Sequence, residues 1–222
     1  MNIHKEIEDR LAAAPVVPLI SAQDPDVAVK TARALQAGGL TVIEVVMRSD
    51  TAQQCLEAII AETEGLIVGA GTVLTLEQAR SVLASGSAFI VCPGLVDAIA
   101  EHCMAEDIPV YPGTMTAGEV QRAYALGLRN VKFFPAALAG GVPMLKAMGQ
   151  VFRDMRFMPT GGIDAGNLEN YLALPHVMAC GGSWLTPGEA IANGDFAVVE
   201  RLAREASELA AKQATAGQVE VR

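Results

Sequence analysis

The chain has 222 residues, 51% of them hydrophobic, with 16 Lys and Arg set against 25 Asp and Glu for a net charge of −9. That length buries a sizeable core, and an acidic balance with 5% aromatics and no basic run lacks the electrostatic footprint that nucleic acid demands. The four cysteines, Cys55, Cys92, Cys103 and Cys180, have no CxxC spacing and the three histidines are scattered, which argues against a disulfide framework and a metal centre. The charged start, MNIHKEIEDR, has no apolar signal region, and no apolar run approaches the ~20 residues needed to cross a bilayer. The expectation is a soluble cytoplasmic protein with buried free thiols and no membrane partner.

In chain order, strand and helix signals alternate. An amphipathic helix over Ile3–Ala13 precedes an apolar strand, Val16–Ile20, and a helix over Pro25–Ala37 stops at Gly38-Gly39. Strand Thr41–Met47 carries Glu44, helix Thr51–Glu62 follows, and strand Leu66–Val73 contains Gly69-Ala70-Gly71-Thr72. Helix Leu76–Ala84 leads to strand Ala88–Cys92, which stops at Pro93-Gly94, and then to helix Val96–Ala105. Strand Val110–Tyr111 runs into Pro112-Gly113, and helix Ala117–Leu126 stops at Gly127. Strand Asn130–Phe134 comes next, with a helix over Pro143–Met148 after it. Strand Arg156–Pro159 ends in Thr160-Gly161-Gly162, helix Ala165–Leu172 follows, and strand Val177–Cys180 ends in Gly181-Gly182-Ser183. A long helix over Phe196–Lys212 closes a single domain, residues 1–212, and 213–222 read as a disordered tail.

Eight continuous apolar strands, each followed by a helix, fit a parallel sheet covered on both faces, and that number favours a closed (β/α)8 TIM barrel with an N-terminal helix. A doubly wound open sheet is the alternative. It accounts less well for polar residues recurring at strand C-terminal ends, which a barrel gathers around one mouth.

Lys132 lies inside the apolar run Asn130–Phe134, and Glu44 inside another. Strand alternation puts Glu44 and Arg48 on one face, about 13 Å apart, and puts Lys132 and Phe134 together on another. If both faces point inward, Lys132 and Glu44 share one pocket with Phe134 as an apolar shelf. The plain reading of such charges is a structural ion pair; finding both in this fold favours chemistry. An amine kept dry loses its charge readily and adds to a ketone as a Schiff base, while a nearby carboxylate moves the protons. Thr160-Gly161-Gly162 and Gly181-Gly182-Ser183 follow the last two strands, where barrels commonly hold phosphate on backbone N–H groups. Gly69-Ala70-Gly71-Thr72 has no GxGxxG continuation and is no dinucleotide loop. Thr72 reads instead as a donor to a substrate carboxylate, with Arg48 as its charged companion.

Taken together, Pro15-Val16-Val17-Pro18, Glu44-Val45-Val46-Met47-Arg48, Gly69-Ala70-Gly71-Thr72-Val73, Pro93-Gly94, Tyr111-Pro112-Gly113, Lys132-Phe133-Phe134-Pro135, Pro159-Thr160-Gly161-Gly162-Ile163 and Gly181-Gly182-Ser183-Trp184-Leu185 resemble the bacterial 2-keto-3-deoxy-6-phosphogluconate (KDPG) aldolases. This class I family also acts on 4-hydroxy-2-oxoglutarate (KHG). The resemblance implies a cofactor-free lyase of the Entner–Doudoroff pathway, a homotrimer cleaving a phosphorylated keto acid to pyruvate and glyceraldehyde 3-phosphate. It implies Lys132 as the Schiff-base lysine, Glu44 as general acid/base, Arg48 and Thr72 on the pyruvate carboxylate, Pro93 and Phe134 as pocket walls, and Gly161, Gly162 and Ser183 on the phosphate. The chain departs from the family pattern at Ala136-Ala137-Leu138, where an acidic residue is frequent, and at Cys92, where serine is common. The galactonate epimer, a sugar-phosphate isomerase using Lys132 as a clamp, and a non-catalytic binding barrel are the alternatives.

Overall fold

The computed structural model of the chain describes residues 2–219. Its strands are β1 (Val16–Ile20), β2 (Val42–Val46), β3 (Ile67–Gly71), β4 (Ile90–Val91), β5 (Val110–Tyr111), β6 (Gly113–Thr114), β7 (Asn130–Phe133), β8 (Arg156–Pro159) and β9 (Cys180–Gly182). The helices are α1 (Ile3–Ala13), α2 (Pro25–Ala37), α3 (Ala52–Glu62), α4 (Leu76–Ala84), α5 (Asp97–Ala105), α6 (Ala117–Ala125), α7 (Gly141–Val151), α8 (Leu168–Leu172), α9 (Gly188–Ala192) and α10 (Phe196–Val219). Pairing is parallel throughout, in the orders β5-β4-β3-β2-β1-β9 and β6-β7-β8. The two arcs join at both ends. Pro112 alone separates β5 from β6, and bridges from Phe157 to Val177 and from Thr160 to Gly181 tie β8 to β9. The nine segments are therefore eight staves of a closed (β/α)8 barrel.

The closure follows from side chains alternating between two apolar layers. Outward residues such as Ile43, Val45, Val68, Val131 and Phe157 pack against the helices. Inward residues Val17, Val42, Ile67, Phe89, Tyr111 and Met158 form a separate inner cluster with Ile7 and Leu11 of α1. The N-terminal helix thus floors the barrel at the starts of the strands. His4 pins it there, its Nε2 lying 3.1 Å from the Asp107 carbonyl and 3.2 Å from the Asp107 carboxylate. Pro18, which lacks an N–H, sits where β1 changes neighbour: Val16 to Pro18 pair with β9, and Leu19 and Ile20 with β2.

Several boundaries shift from expectation. β2 ends at Val46 and β7 at Phe133, so Arg48 and Phe134 belong to loops. α7 is longer than expected, α8 shorter, and α9 unanticipated. α10 runs to Val219, past the expected end at Lys212, so the expected disordered tail from Gln213 starts within this helix; residues 220–222 lie outside the described part. The four cysteines are free and buried. Among the described residues no helix is long and apolar enough to cross a membrane.

Candidate active site

Lys132 and Glu44 meet inside the barrel. Lys132 Nζ lies 3.3 Å from Glu44 Oε1, with side-chain exposures of 5% and 0%. The other carboxylate oxygen, Oε2, is buried with no hydrogen-bond partner. An unpaired buried acceptor is costly, so this carboxylate is an unusual group to find in the barrel interior. Two β3 glycines make room for this arrangement: a Cβ at Gly71 would overlap Glu44 Oε1, and one at Gly69 would overlap the Phe89 ring. The split stave β5–β6 fixes the backbone of Lys132. Its N–H donates to Pro112 (2.9 Å), its carbonyl accepts from the Thr114 hydroxyl (3.1 Å), and the N–H of Phe134 donates to Thr114 (3.0 Å).

Towards the mouth, the exposed Arg48 turns across to the next loop, and its Nε donates to Thr72 Oγ1 at 3.1 Å. The two residues read as partners for a substrate carboxylate are thus bonded to each other, although Arg48 has left the face of β2. Thr72 has φ +58°, a left-handed conformation that a β-branched residue rarely adopts, and such strain concentrates at functional loops. The half-buried Phe134 ring has its centroid 5.6 Å from Lys132 Nζ. Pro93 is half-buried, and its carbonyl lies so close to Gly113 that a Cβ there would overlap it. Cys92 faces the helix layer instead of the pocket. Burial, then Cys103 and Glu44, push its thiol up to about 12 against the pull of Lys132.

The glycine loops stand at the same end. Gly161 and Gly162 have φ +96° and +77°, which suit glycine alone. Their loop is tied to the lysine stave by Ala136 N–H to Thr160 carbonyl (2.8 Å) and Ala137 N–H to Gly161 carbonyl (3.0 Å). Thr160, expected among the phosphate donors, is 3% exposed; its hydroxyl faces the Met158 carbonyl at 3.4 Å and packs against Gly181. The physical reason is strand alternation, which gives Thr160 the inward face of Met158 and not the open side of the loop. Gly182 is buried beneath the Trp184 ring, and Ser183 is exposed. Sequence reading left Gly71 and Thr114 without a role of their own; their neighbours across the sheet define them, Glu44 for Gly71 and Lys132 for Thr114.

A primary amine beside a buried carboxylate, under an Arg–Thr pair and beside two glycine loops, suits imine chemistry on a small keto acid. The KDPG and KHG aldolase family model matches residues 7–202. The chain belongs to this family. It is 42% identical over 207 residues to the KHG/KDPG aldolase of Escherichia coli (strain K12), covering 93% of this chain and 97% of that protein. The solved KDPG aldolase of Zymomonas mobilis ZM4 with 3-phosphoglycerate is 40% identical at a TM-score of 0.85, covering 91% of this chain and 95% of that one. The KDPG aldolase of Legionella pneumophila, solved with pyruvate captured as a covalent carbinolamine, is also 40% identical at a TM-score of 0.85, with coverages of 89% and 96%.

Proposed function

We propose that the protein is a class I aldolase that cleaves KDPG to pyruvate and glyceraldehyde 3-phosphate, and KHG to pyruvate and glyoxylate. The observation that carries this reading is the buried contact of Lys132 Nζ with Glu44 Oε1 at 3.3 Å. Glu44 takes a proton from the Lys132 ammonium, and the freed amine adds to the substrate C2 carbonyl. The carbinolamine loses water, with Glu44 returning a proton to the departing hydroxyl, and a protonated imine remains. Glu44, again a carboxylate, takes the C4 hydroxyl proton as the C3–C4 bond breaks; the electron pair moves into the imine as an enamine, and the aldehyde departs. Glu44 then protonates C3, and water hydrolyses the imine to pyruvate and free Lys132.

Arg48 and Thr72 hold the pyruvate carboxylate, Pro93 and Phe134 wall the pocket, and Gly161, Gly162, Gly182 and Ser183 hold the phosphate. The catalytic unit is the barrel of residues 1–212. A cytoplasmic location and a homotrimer follow from the family resemblance, and sedimentation equilibrium at three subunit masses checks the trimer.

Borohydride added with pyruvate tests the imine: one adduct is expected on the peptide bearing Lys132, and an unmodified, still active protein sinks the mechanism. Lys132→Ala abolishes cleavage with the fold retained by circular dichroism. Glu44→Gln slows turnover roughly 10²–10⁴-fold, and a wild-type rate removes Glu44 from the proton steps. Pyruvate release from KDPG, its galactonate epimer and KHG ranks the substrates.

A further inference from the structure

Trp184, the single tryptophan of the chain, has no role in the chemistry above, yet it lies against the loop assigned to the phosphate. A Cβ on Gly182 would fall among Cζ3, Cε3 and Cη2 of the indole. The six-membered ring therefore rests on the Gly182 backbone, an approach that only glycine permits. Gly182 is buried as the last residue of β9, while Trp184 is half-buried and packs its inner side on the outer apolar layer. The turn beyond is closed as well. The Thr186 N–H donates to the Ser183 carbonyl at 3.3 Å, and the Thr186 hydroxyl lies 2.7 Å from the Leu19 carbonyl and 3.3 Å from that of Ser183. Ser183, whose side chain is exposed, is thus held from its carbonyl side by Thr186 and β1, and from its amide side by the indole stacked on Gly182.

We propose that Trp184 is the positioning residue for the phosphate half of the substrate, and that it sets the preference for phosphorylated over unphosphorylated keto acids. The inference rests on the aldolase reading for its substrates. An anion bound by N–H and hydroxyl donors gains most when those donors are fixed beforehand, because a mobile loop must be ordered at the expense of affinity. A flat ring on a bare Cα supplies that fixing, which a branched aliphatic side chain does not. Pyruvate and glyoxylate units carry no phosphate and draw nothing from it.

The test compares kcat/KM for KDPG and KHG in the wild type, Trp184→Leu and Trp184→Phe. In Trp184→Leu the ratio of the KDPG value to the KHG value falls by about tenfold or more, carried by KM for KDPG, and Trp184→Phe restores part of it because it keeps a flat ring but lacks the outer edge of the indole. Equal losses on both substrates, or no loss, overturn the proposal. A second measurement needs no turnover: as the lone tryptophan, Trp184 changes its emission when the wild type is titrated with inorganic phosphate, and an unchanged spectrum also overturns it. Failure of pyruvate and borohydride to label the wild type defeats the aldolase reading instead, and leaves the phosphate titration as an independent test of Trp184.

Discussion

Thr72 holds its φ of +58° at a cost of about 1–2 kcal/mol for a residue with a side chain. Thr72→Gly relieves that cost and removes the acceptor of Arg48 Nε, so the denaturation midpoint rises by the equivalent of ~1 kcal/mol while KM increases about tenfold. A variant that is less stable than the wild type contradicts the strain. Lys132 and Glu44 were legible because a charge in an apolar strand has few explanations. Thr160 was half-legible: it follows Met158 by two positions, and the alternation rule that paired Lys132 with Phe134 also turns Thr160 inward. Gly71 was not legible, because its function is to leave space for Glu44, a residue of another strand.

At the scale of elements, α1 contributes more than a helix signal suggests. Leu11 is 3% exposed within the inner cluster, so Leu11→Ala costs about 2–5 kcal/mol. A urea titration measures that loss, and kcat stays within about twofold because Lys132 lies higher in the shaft. The start of α6 is acid-sensitive. Burial pushes the Glu119 carboxyl up, but bonds from the Met115 N–H (2.9 Å), the Thr116 N–H (2.8 Å) and the Thr116 hydroxyl (2.8 Å) outweigh it and leave the group below its ordinary value. The ionised form is favoured in the fold, so this stabilisation is complete above the ordinary value of about 4.3 and fades as pH falls through the lower folded value. Glu119→Gln lowers the melting temperature at pH 7 and flattens its decline below pH ~4, and identical profiles for variant and wild type refute the assignment. Glycine stops and apolar strands made most elements readable, whereas α9 has five residues, too few to repeat the helical period, and Pro112 hides one stave in two pieces.

For the molecule as a whole, the sequence conveyed the number of staves but not how the ring shuts, because the closing pairs join β9 to β1, Cys180 opposite Val16, across most of the chain length. The closed core also governs thiol chemistry. Burial raises Cys92 to about 12, Cys103 to about 11, and Cys55 and Cys180 above their ordinary value as well. Thiolate is therefore scarce in the native state. A disulfide reagent at pH 8 should label none of the four cysteines until urea unfolds the chain, and rapid labelling of any one contradicts the burial of that residue. The floor formed by α1 has a last consequence, for the order of events. A shaft stopped at one end works as a stack: whatever enters last leaves first. On the proposed mechanism the half bonded to Lys132 lies beneath the half facing the glycine loops, so the aldehyde clears the mouth before pyruvate follows. Hydrolysis of the imine thus ends each cycle, and free pyruvate can re-enter only an emptied shaft.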